Sequence, residues 1–266
     1  MKFYKYCGAG NDFVLLPNLD RSISPNDYAA LAVRLCDRHF GIGADGLMIV
    51  EPPEHGGDCK MVFYNNDGST AEMCGNGARC ICRFCHDTGL SGTIQHIETP
   101  SGAVVGERID KSHYKIELTA PTEVKRGLCI EETVCDYIEL GDPGIPHAVV
   151  PCETVPERTL RSLAERLRHS PSFPRGANVN FCAVTAPNEL RLLTYERGVE
   201  DFTLACGTGT GASVLAMTLR GAVTGVRTRV VTDGGVLFVD VLREDGRTRL
   251  FLTGEALCVF TGETGD

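Results

Sequence analysis

Residues 74–77 read Cys-Gly-Asn-Gly and residues 206–209 read Cys-Gly-Thr-Gly. Each follows a strand-like run and a polar turn, and each opens a helix-like segment, residues 78–87 in the first case and a run after Gly211 in the second. The two cysteines lie 206 − 74 = 132 positions apart, about half of a 266-residue chain. A polar loop entering an apolar strand also recurs, as GNDFVLL (10–16) and GIPHAVV (144–150). Two matched arrangements of this length point to two related halves rather than to coincidence among 30 glycines. The halves are expected at residues 1–120, completed by about 255–266, and at 121–254, with Pro121 at the crossover.

Around this pair the chain reads as α+β. Helices are expected at 25–37, where Ser24 can cap and Pro25 suits the first position, at 78–87, at 159–169 and after Gly211. Short strands fall between them, among them 13–16, 47–50, 60–64, 94–99, 102–107 and 114–118 in the first half. The second half has them near 137–140, 148–150, 179–185 and 189–195, then three in 229–260.

Composition narrows the function classes. A hydrophobic fraction of 42% with 23% charged residues is that of a soluble globular protein. The net charge of -9 argues against nucleic acid or an anionic membrane as main partner. No window holds eighteen uninterrupted apolar residues, and the start, MKFYKYCGAGNDFVLL, lacks the pattern of a signal peptide. A cytoplasmic location follows as an expectation. Thirteen cysteines would then stay reduced, most of them acting as small buried apolar residues.

A cysteine at a helix N-terminus lies beside unpaired backbone N–H groups and the positive end of the helix dipole, and both favour its thiolate. The same N–H groups bind a carboxylate, and flanking glycines let the backbone approach it without a Cβ in the way. Two such cysteines facing across a cleft could remove a proton from one face of a carbon and return one to the other. The carbanion formed would need fixed donors and exclusion of water. No cofactor is required in principle, and no pyridoxal-phosphate lysine signature is evident, so racemase or epimerase is the coherent chemical reading.

Other motifs compete with it. Cys82-Arg83-Phe84-Cys85-His86 fits the C-x-x-C-H pattern for haem attachment, and Cys80 could join a metal cluster. Haem attachment requires export, and Cys82 and Cys85 would share one helix face, so packing is the preferred reading and no metal is assigned. Gly207-Thr208-Gly209-Thr210-Gly211 invites comparison with a dinucleotide loop, but a polar turn intervenes after the strand and the third glycine comes one position early. A soluble binding protein with incidental cysteines is the non-enzyme alternative.

Seven ordered blocks carry a family resemblance: GAGNDFVLL (8–16), CDRHFGIGADGL (36–47), NNDGSTAEMCGNGARC (65–80), GIPHAVV (144–150), ANVNF (177–181), YERG (195–198) and LACGTGTGAS (204–213). On them the chain resembles the diaminopimelate epimerase family, cofactor-independent enzymes of lysine and peptidoglycan-precursor synthesis that interconvert LL- and meso-diaminopimelate. The resemblance implies two α/β domains of similar topology, each a mixed sheet curled round a central helix, with the active site in the cleft between them. It implies Cys74 and Cys206 as the catalytic pair, with His147 and Glu196 assisting their protonation states. Gly75, Asn76, Gly207 and Thr208 fall where the family binds the reacting carboxylate and amino group. Asn11, Asn65, Asn178 and Arg197 fall where it holds the substrate, Arg197 being suited to a bidentate grip on the distant carboxylate. A small amino-acid substrate, no cofactor and a homodimer are further expectations.

Three positions depart from the family pattern. Ile145 stands where an asparagine is usual, Phe202 reads as an extra residue that would reshape the wall before Cys206, and Gly46 replaces a glutamine of some members. Ile145 is the most consequential, because it cannot hydrogen-bond, and it keeps a racemase of another amino acid such as histidine as the rival reading.

Overall fold

A computed structural model describes residues 1–265 except 72–73, 101, 131 and 156–159. The chain divides into two compact units, Met1–Ile116 with Gly254–Asp266, and Glu117–Thr253. Four α-helices are described: α1 (Tyr28–Cys36), α2 (Gly75–Asp87), α3 (Arg161–Arg168) and α4 (Gly207–Leu219).

In the first unit the strand Lys2–Gly8 pairs antiparallel with both Leu257–Glu263 and Asn11–Pro17. Asn11–Pro17 runs parallel to Gly46–Glu51, which pairs antiparallel with Cys59–Asn65. Cys59–Asn65 takes the short strand Thr70–Ala71 antiparallel and Ile94–Thr99 parallel, and Gly102–Arg108 closes antiparallel on the last. Helix α2 packs against Lys2–Gly8, Ile94–Thr99 and Gly102–Arg108, and its residues from Gly75 to Cys82 are all buried. A helix buried on every side shows no solvent face, which fits its central position. The α1 helix instead covers Gly46–Glu51, joining Leu31, Ala32 and Leu35 to Leu47 and Ile49 in one cluster.

The second unit repeats this topology strand for strand. Thr133–Gly141 pairs antiparallel with Pro121–Ile130 and with Gly144–Pro151. Gly144–Pro151 runs parallel to Asn178–Ala186, which pairs antiparallel with Glu189–Glu196. Glu189–Glu196 takes Asp201–Thr203 antiparallel and Thr228–Thr232 parallel, and Gly235–Glu244 follows antiparallel. The counterpart of α2 is α4, apolar throughout most of its length and packed against Thr133–Gly141, Gly144–Pro151 and Gly235–Glu244. The α+β class is observed, and the duplication read from two cysteine motifs is a duplication of fold.

Several local expectations change. Ser24 caps not the α-helix but a 3-10 turn, Pro25–Asp27, by accepting from Asn26 N at 3.3 Å, and α1 begins only at Tyr28. The helices expected at 78 and after 211 begin at Gly75 and Gly207, so the two cysteines are their N-caps, both in extended conformation. The start expected for the 159–169 helix, Thr159, lies outside the described residues; α3 covers Arg161–Arg168. Pro121 opens a ten-residue strand, and the C-terminal segment holds a fourth strand, Leu257–Glu263, beyond the three expected. The C-x-x-C-H cysteines Cys82 and Cys85, and Cys80 with them, have no exposed surface.

Candidate active site

In the first unit the site grows from the N-terminus of α2. Cys74 caps the helix in extended conformation, and its carbonyl accepts from Ala78 N at 2.8 Å. The N–H groups of Gly75, Asn76 and Gly77 precede the first intrahelical bond and form an anion-binding terminus. Two glycines here are closely hemmed in, Gly77 by a flexible side chain and Gly8 by backbone. A Cβ on Gly77 would lie 1.8 Å from Met48 Cε, and one on Gly8 would lie 2.9 Å from Asn76 O.

The Asn76 side chain is buried and fully oriented. Its Oδ1 accepts from Arg79 Nη2 at 2.8 Å, and its Nδ2 donates to Asn11 Oδ1 at 2.5 Å. Asn11 Nδ2 in turn donates to Asp45 Oδ2 at 3.2 Å. Asp45 and Asp12 share Arg38, and Lys5 closes on Asp12 at 2.7 Å. Burial acts to raise the Asp12 carboxyl, but Arg38 and Lys5 outweigh it and hold it below the usual carboxylate range. Asn65 ends its strand opposite Gly46 and donates to Ser69 Oγ at 2.9 Å. The next residue, Asn66, donates its N–H to Asp45 O, which ties that turn to the same cluster. Gly46 offers no open place for a longer side chain, because a Cβ there would lie 2.5 Å from the Phe63 ring.

In the second unit Cys206 caps α4, and its Sγ accepts from Gly209 N at 3.4 Å and lies 3.5 Å from Thr208 Oγ1. The Gly209 N–H places a donor on the sulfur, and the Thr208 hydroxyl can either donate to it or accept from it. Gly209 abuts Asn180, where a Cβ would lie 2.4 Å from Oδ1. That amide is buried: Oδ1 accepts from Thr194 Oγ1 at 2.9 Å, so Nδ2 faces His147 Nδ1 at 3.3 Å. A donor at Nδ1 leaves the proton of a neutral imidazole on Nε2. Burial, and then the positive charge of Arg197, push the His147 pKa down to about 3, so the ring is neutral. Its Nε2 has no hydrogen-bond partner among the described residues, which leaves a buried donor unspent.

His147 pairs with Asn178 across parallel strands, and Val179 pairs with Tyr195, so His147, Asn178 and Glu196 form a row over three adjacent strands. Asn178 Oδ1 accepts from Arg197 N at 2.8 Å, and its Nδ2 donates to Pro146 O at 3.2 Å. Burial raises the Glu196 carboxyl pKa, offset in part by Thr203. Arg197 donates to Arg175 O at 3.2 Å. Burial and the charges of Arg168 and Arg175 lower its pKa, a cation held among cations. Phe202 does not form a wall of this site: it is buried, edge-on to Tyr195 with centroids 5.4 Å apart.

Each unit thus gathers its own share of the expected residues, Cys74, Gly75, Asn76, Asn11 and Asn65 in one, Cys206, Gly207, Thr208, His147, Asn178, Glu196 and Arg197 in the other. Two residues escaped the sequence reading, Arg79 and Asn180. Both lie inside recognised blocks, Arg79 three positions after Asn76 on a helix and Asn180 two after Asn178 on a strand, where shared faces are the signal. Among the described residues no cluster of three metal-ligating side chains occurs, and no helix is long and apolar enough to cross a membrane.

A profile of the diaminopimelate epimerase family matches residues 3–124 and 141–259. The chain is 36% identical over 281 residues to the diaminopimelate epimerase of Aquifex aeolicus (strain VF5), covering 100% of this chain and 98% of that one. It is also 36% identical over 265 residues to the diaminopimelate epimerase of Flavobacterium psychrophilum, covering 98% of each. Among solved structures, a Bacillus anthracis phenazine biosynthesis protein of the PhzF family superposes with a TM-score of 0.72 at 14% identity, covering 100% and 99% of the two chains. A probable proline racemase from Agrobacterium radiobacter K84 superposes with a TM-score of 0.70 at 15% identity, covering 99% and 92%. At these identities the structural likeness speaks for the fold alone.

Proposed function

The chain belongs to the diaminopimelate epimerase family, and from that premise we propose that it interconverts LL- and meso-diaminopimelate by proton exchange at the α-carbon, with Cys74 and Cys206 as base and acid. The observation that carries the reading is the pair of cysteines, each capping a glycine-opened, buried helix at the equivalent place in two units of one topology.

The N–H groups at the start of each helix are the donors this reading assigns to the substrate α-carboxylate, because the helix dipole and orphan donors favour negative charge there. One cysteine, as thiolate, takes the α-proton from one face, and the other, as thiol, delivers a proton to the opposite face. The carbanion between the two steps is stabilised by those fixed donors. Reversal of the reaction exchanges the two roles. In the same unit as Cys206, neutral His147 offers its Nε2–H as a donor, while burial raises the Glu196 carboxyl pKa and makes that group a better proton acceptor than an exposed carboxylate. Arg197, carrying a charge that other arginines destabilise, accepts the distant carboxylate in bidentate fashion. Assembly as a homodimer belongs to the same family-based reading.

Ile145 supports a second reading. It sits partly buried on the strand Gly144–Pro151, directly before Pro146 and His147 on the same strand, and its side chain cannot donate to a distal amino acid group. A racemase of another amino acid, histidine first, would keep the same proton chemistry. Incubation of the purified protein in deuterium oxide with LL-diaminopimelate, histidine, proline and glutamate, offered separately, distinguishes the two. The proposal expects α-deuterium and appearance of the second isomer with diaminopimelate. Deuterium entering histidine alone would replace the substrate.

A further inference from the structure

Arg79 has no exposed surface, yet among the described residues its guanidinium meets only neutral oxygens. Nη1 donates to Gly75 O at 3.2 Å and Nη2 to Asn76 Oδ1 at 2.8 Å, while Nε has no partner among the described residues. A buried charge of this kind is normally balanced by a carboxylate, since its desolvation is costly. Helix side chains lean toward the N-terminus, and Arg79 does so here, reaching back three and four residues into the first turn that Cys74 caps. The charge is therefore added to a terminus that is already positive by its dipole.

Among the described residues, the groups around it supply no fixed negative charge. On its own helix they are the thiols of Cys80 and Cys82, and Cys7 on the strand Lys2–Gly8 lies near Cys80. From the strands 94–99 and 102–108, Gly106 abuts both Cys82 and the neutral amide of Gln95. The carboxylates reached through Asn76 and Asn11 are Asp45 and Asp12, and both are already paired with Arg38. Burial lowers the Arg79 pKa, and the thiols of Cys80, Cys74 and Cys82 act against that lowering. At the equivalent place in the second unit stands Gly211, where a Cβ would lie 2.5 Å from Leu118 Cδ1, so that helix position carries no charged side chain.

We propose that Arg79 is a positioning residue that makes the two cysteines unequal: its buried guanidinium locks the Asn76 amide and supplies the charge against which the resting thiolate sits, so that the free protein carries that thiolate on Cys74. The inference rests on the reading of Cys74 as a working thiol. The orientation it enforces runs from Arg79 through Asn76 and Asn11 to Asp45, each amide accepting on one side and donating on the other.

The test needs neither substrate nor turnover. The full chain is treated with iodoacetamide across pH 5 to 10, and alkylation of each cysteine is followed by peptide mass spectrometry. The pH midpoint, unlike the rate, does not depend on how accessible a thiol is. Cys74 is expected to show a lower midpoint than Cys206. Arg79→Gln, which keeps a donor and removes the charge, is expected to lower the Cys74 thiolate fraction at neutral pH about tenfold, one pH unit in midpoint, and to leave Cys206 unmoved. Arg79→Lys is expected to restore most of the shift. An unchanged Cys74 midpoint in folded Arg79→Gln, or a lower midpoint at Cys206 in the unaltered protein, overturns the proposal. If the variant fails to fold, the comparison within the unaltered protein decides. Loss of activity on diaminopimelate with the midpoints as expected would sink the substrate reading and leave this one standing.

Discussion

The two units share a skeleton and differ in what lies beneath the helix start. In the second, Asn180 pairs with Thr194 across the sheet, and His147 lies beside them. At the matching register of the first, Met48 pairs with Phe63, and Phe13 packs edge-on against Phe63 at 5.9 Å. A polar trio in one unit is thus an apolar trio in the other. The helices reverse the pattern: buried Arg79 in the first stands opposite Gly211 in the second. Duplication supplied two equal helix termini, and substitution around them made one site charged from its own helix and the other tuned from its sheet. Equal backbones with unequal backing are what a reaction needs when base and acid act together in a given direction.

The largest effect expected is loss of either thiol. Cys74→Ala and Cys206→Ala should each lower kcat by about 10²–10⁴-fold or more, the size of a lost general acid or base, while circular dichroism stays unchanged. A steady-state assay of LL-to-meso conversion checks it. Full turnover by either variant would break the comparison at its root, because the two halves would then not be two halves of one reaction.

How much of this contrast could be read before the structure depends on what kind of residue carries it. Cys74 and Cys206 announce themselves through flanking glycines, whose local backbone demands are written in the sequence. The strand Pro121–Ile130 does not, because most of its residues are exposed and no apolar alternation marks it; its partner Thr133–Gly141 makes it a strand. The same holds for Leu257–Glu263, an outer strand paired with Lys2–Gly8. Arg79 and Asn180 sit in recognised blocks, but an arginine on a helix and an asparagine on a strand are ordinarily solvated. Only tertiary packing buries them and turns them into parts of a site. Phe202 fails in the opposite direction: a residue that looks inserted beside the site is a core residue against Tyr195.

Next in size is a contrast between equivalent glycines. Gly209→Ala would drive a Cβ to 2.4 Å from Asn180 Oδ1 and disturb the amide that holds His147 and Thr194. A displacement of about 1 Å at such a point costs on the order of 10²-fold in rate. Gly77→Ala meets the end of Met48, a flexible thioether in an apolar setting. That substitution should cost about 1–3 kcal/mol of stability as overpacking, with kcat within about tenfold of the unaltered protein. Parallel measurements of kcat and thermal midpoint separate the two. Equal loss of rate in both would mean that the polar trio does nothing the apolar trio does not.

His147 sharpens the comparison through pH, since Phe13 cannot titrate. Its pKa is near 3 in the folded protein and about 6.5 when unfolded. Below pH 6.5 the unfolded chain takes up a proton that the folded chain refuses until about pH 3. Its contribution to stability is therefore present above 6.5 and is lost as pH falls toward 3, with a slope of at most about 1.4 kcal/mol per pH unit. Chemical denaturation at pH 7, 6 and 5 should show this loss, and His147→Gln should flatten it. A kcat/KM profile with a histidine inflection between pH 6 and 7 would contradict the neutral imidazole.

The smallest effect expected is at Thr194, where the polar trio can be weakened by one hydrogen bond without moving a helix. Thr194→Val keeps the side chain near its original volume but withdraws the hydroxyl that donates to Asn180 Oδ1. Net loss of one such bond costs about 1 kcal/mol, and an unsatisfied buried oxygen adds to it. With Oδ1 unclaimed, the Asn180 amide is held only by its long Nδ2 contacts to Ala148 O at 3.4 Å and Asn178 O at 3.3 Å, and turning it to present oxygen to His147 would put the imidazole proton on Nδ1 and silence the donor at Nε2. The nitrogen chemical shifts of His147 report that tautomer directly, and a shift of the proton toward Nδ1 in Thr194→Val, with kcat reduced several-fold and KM nearly unchanged, is the expected result. In the first unit the matching change, Phe63→Leu, should lower stability through lost packing and leave no such mark on any titratable group. If Thr194→Val leaves the His147 tautomer as it was, the orientation of the ring is set by burial alone, and the trio matters as packing rather than as a relay.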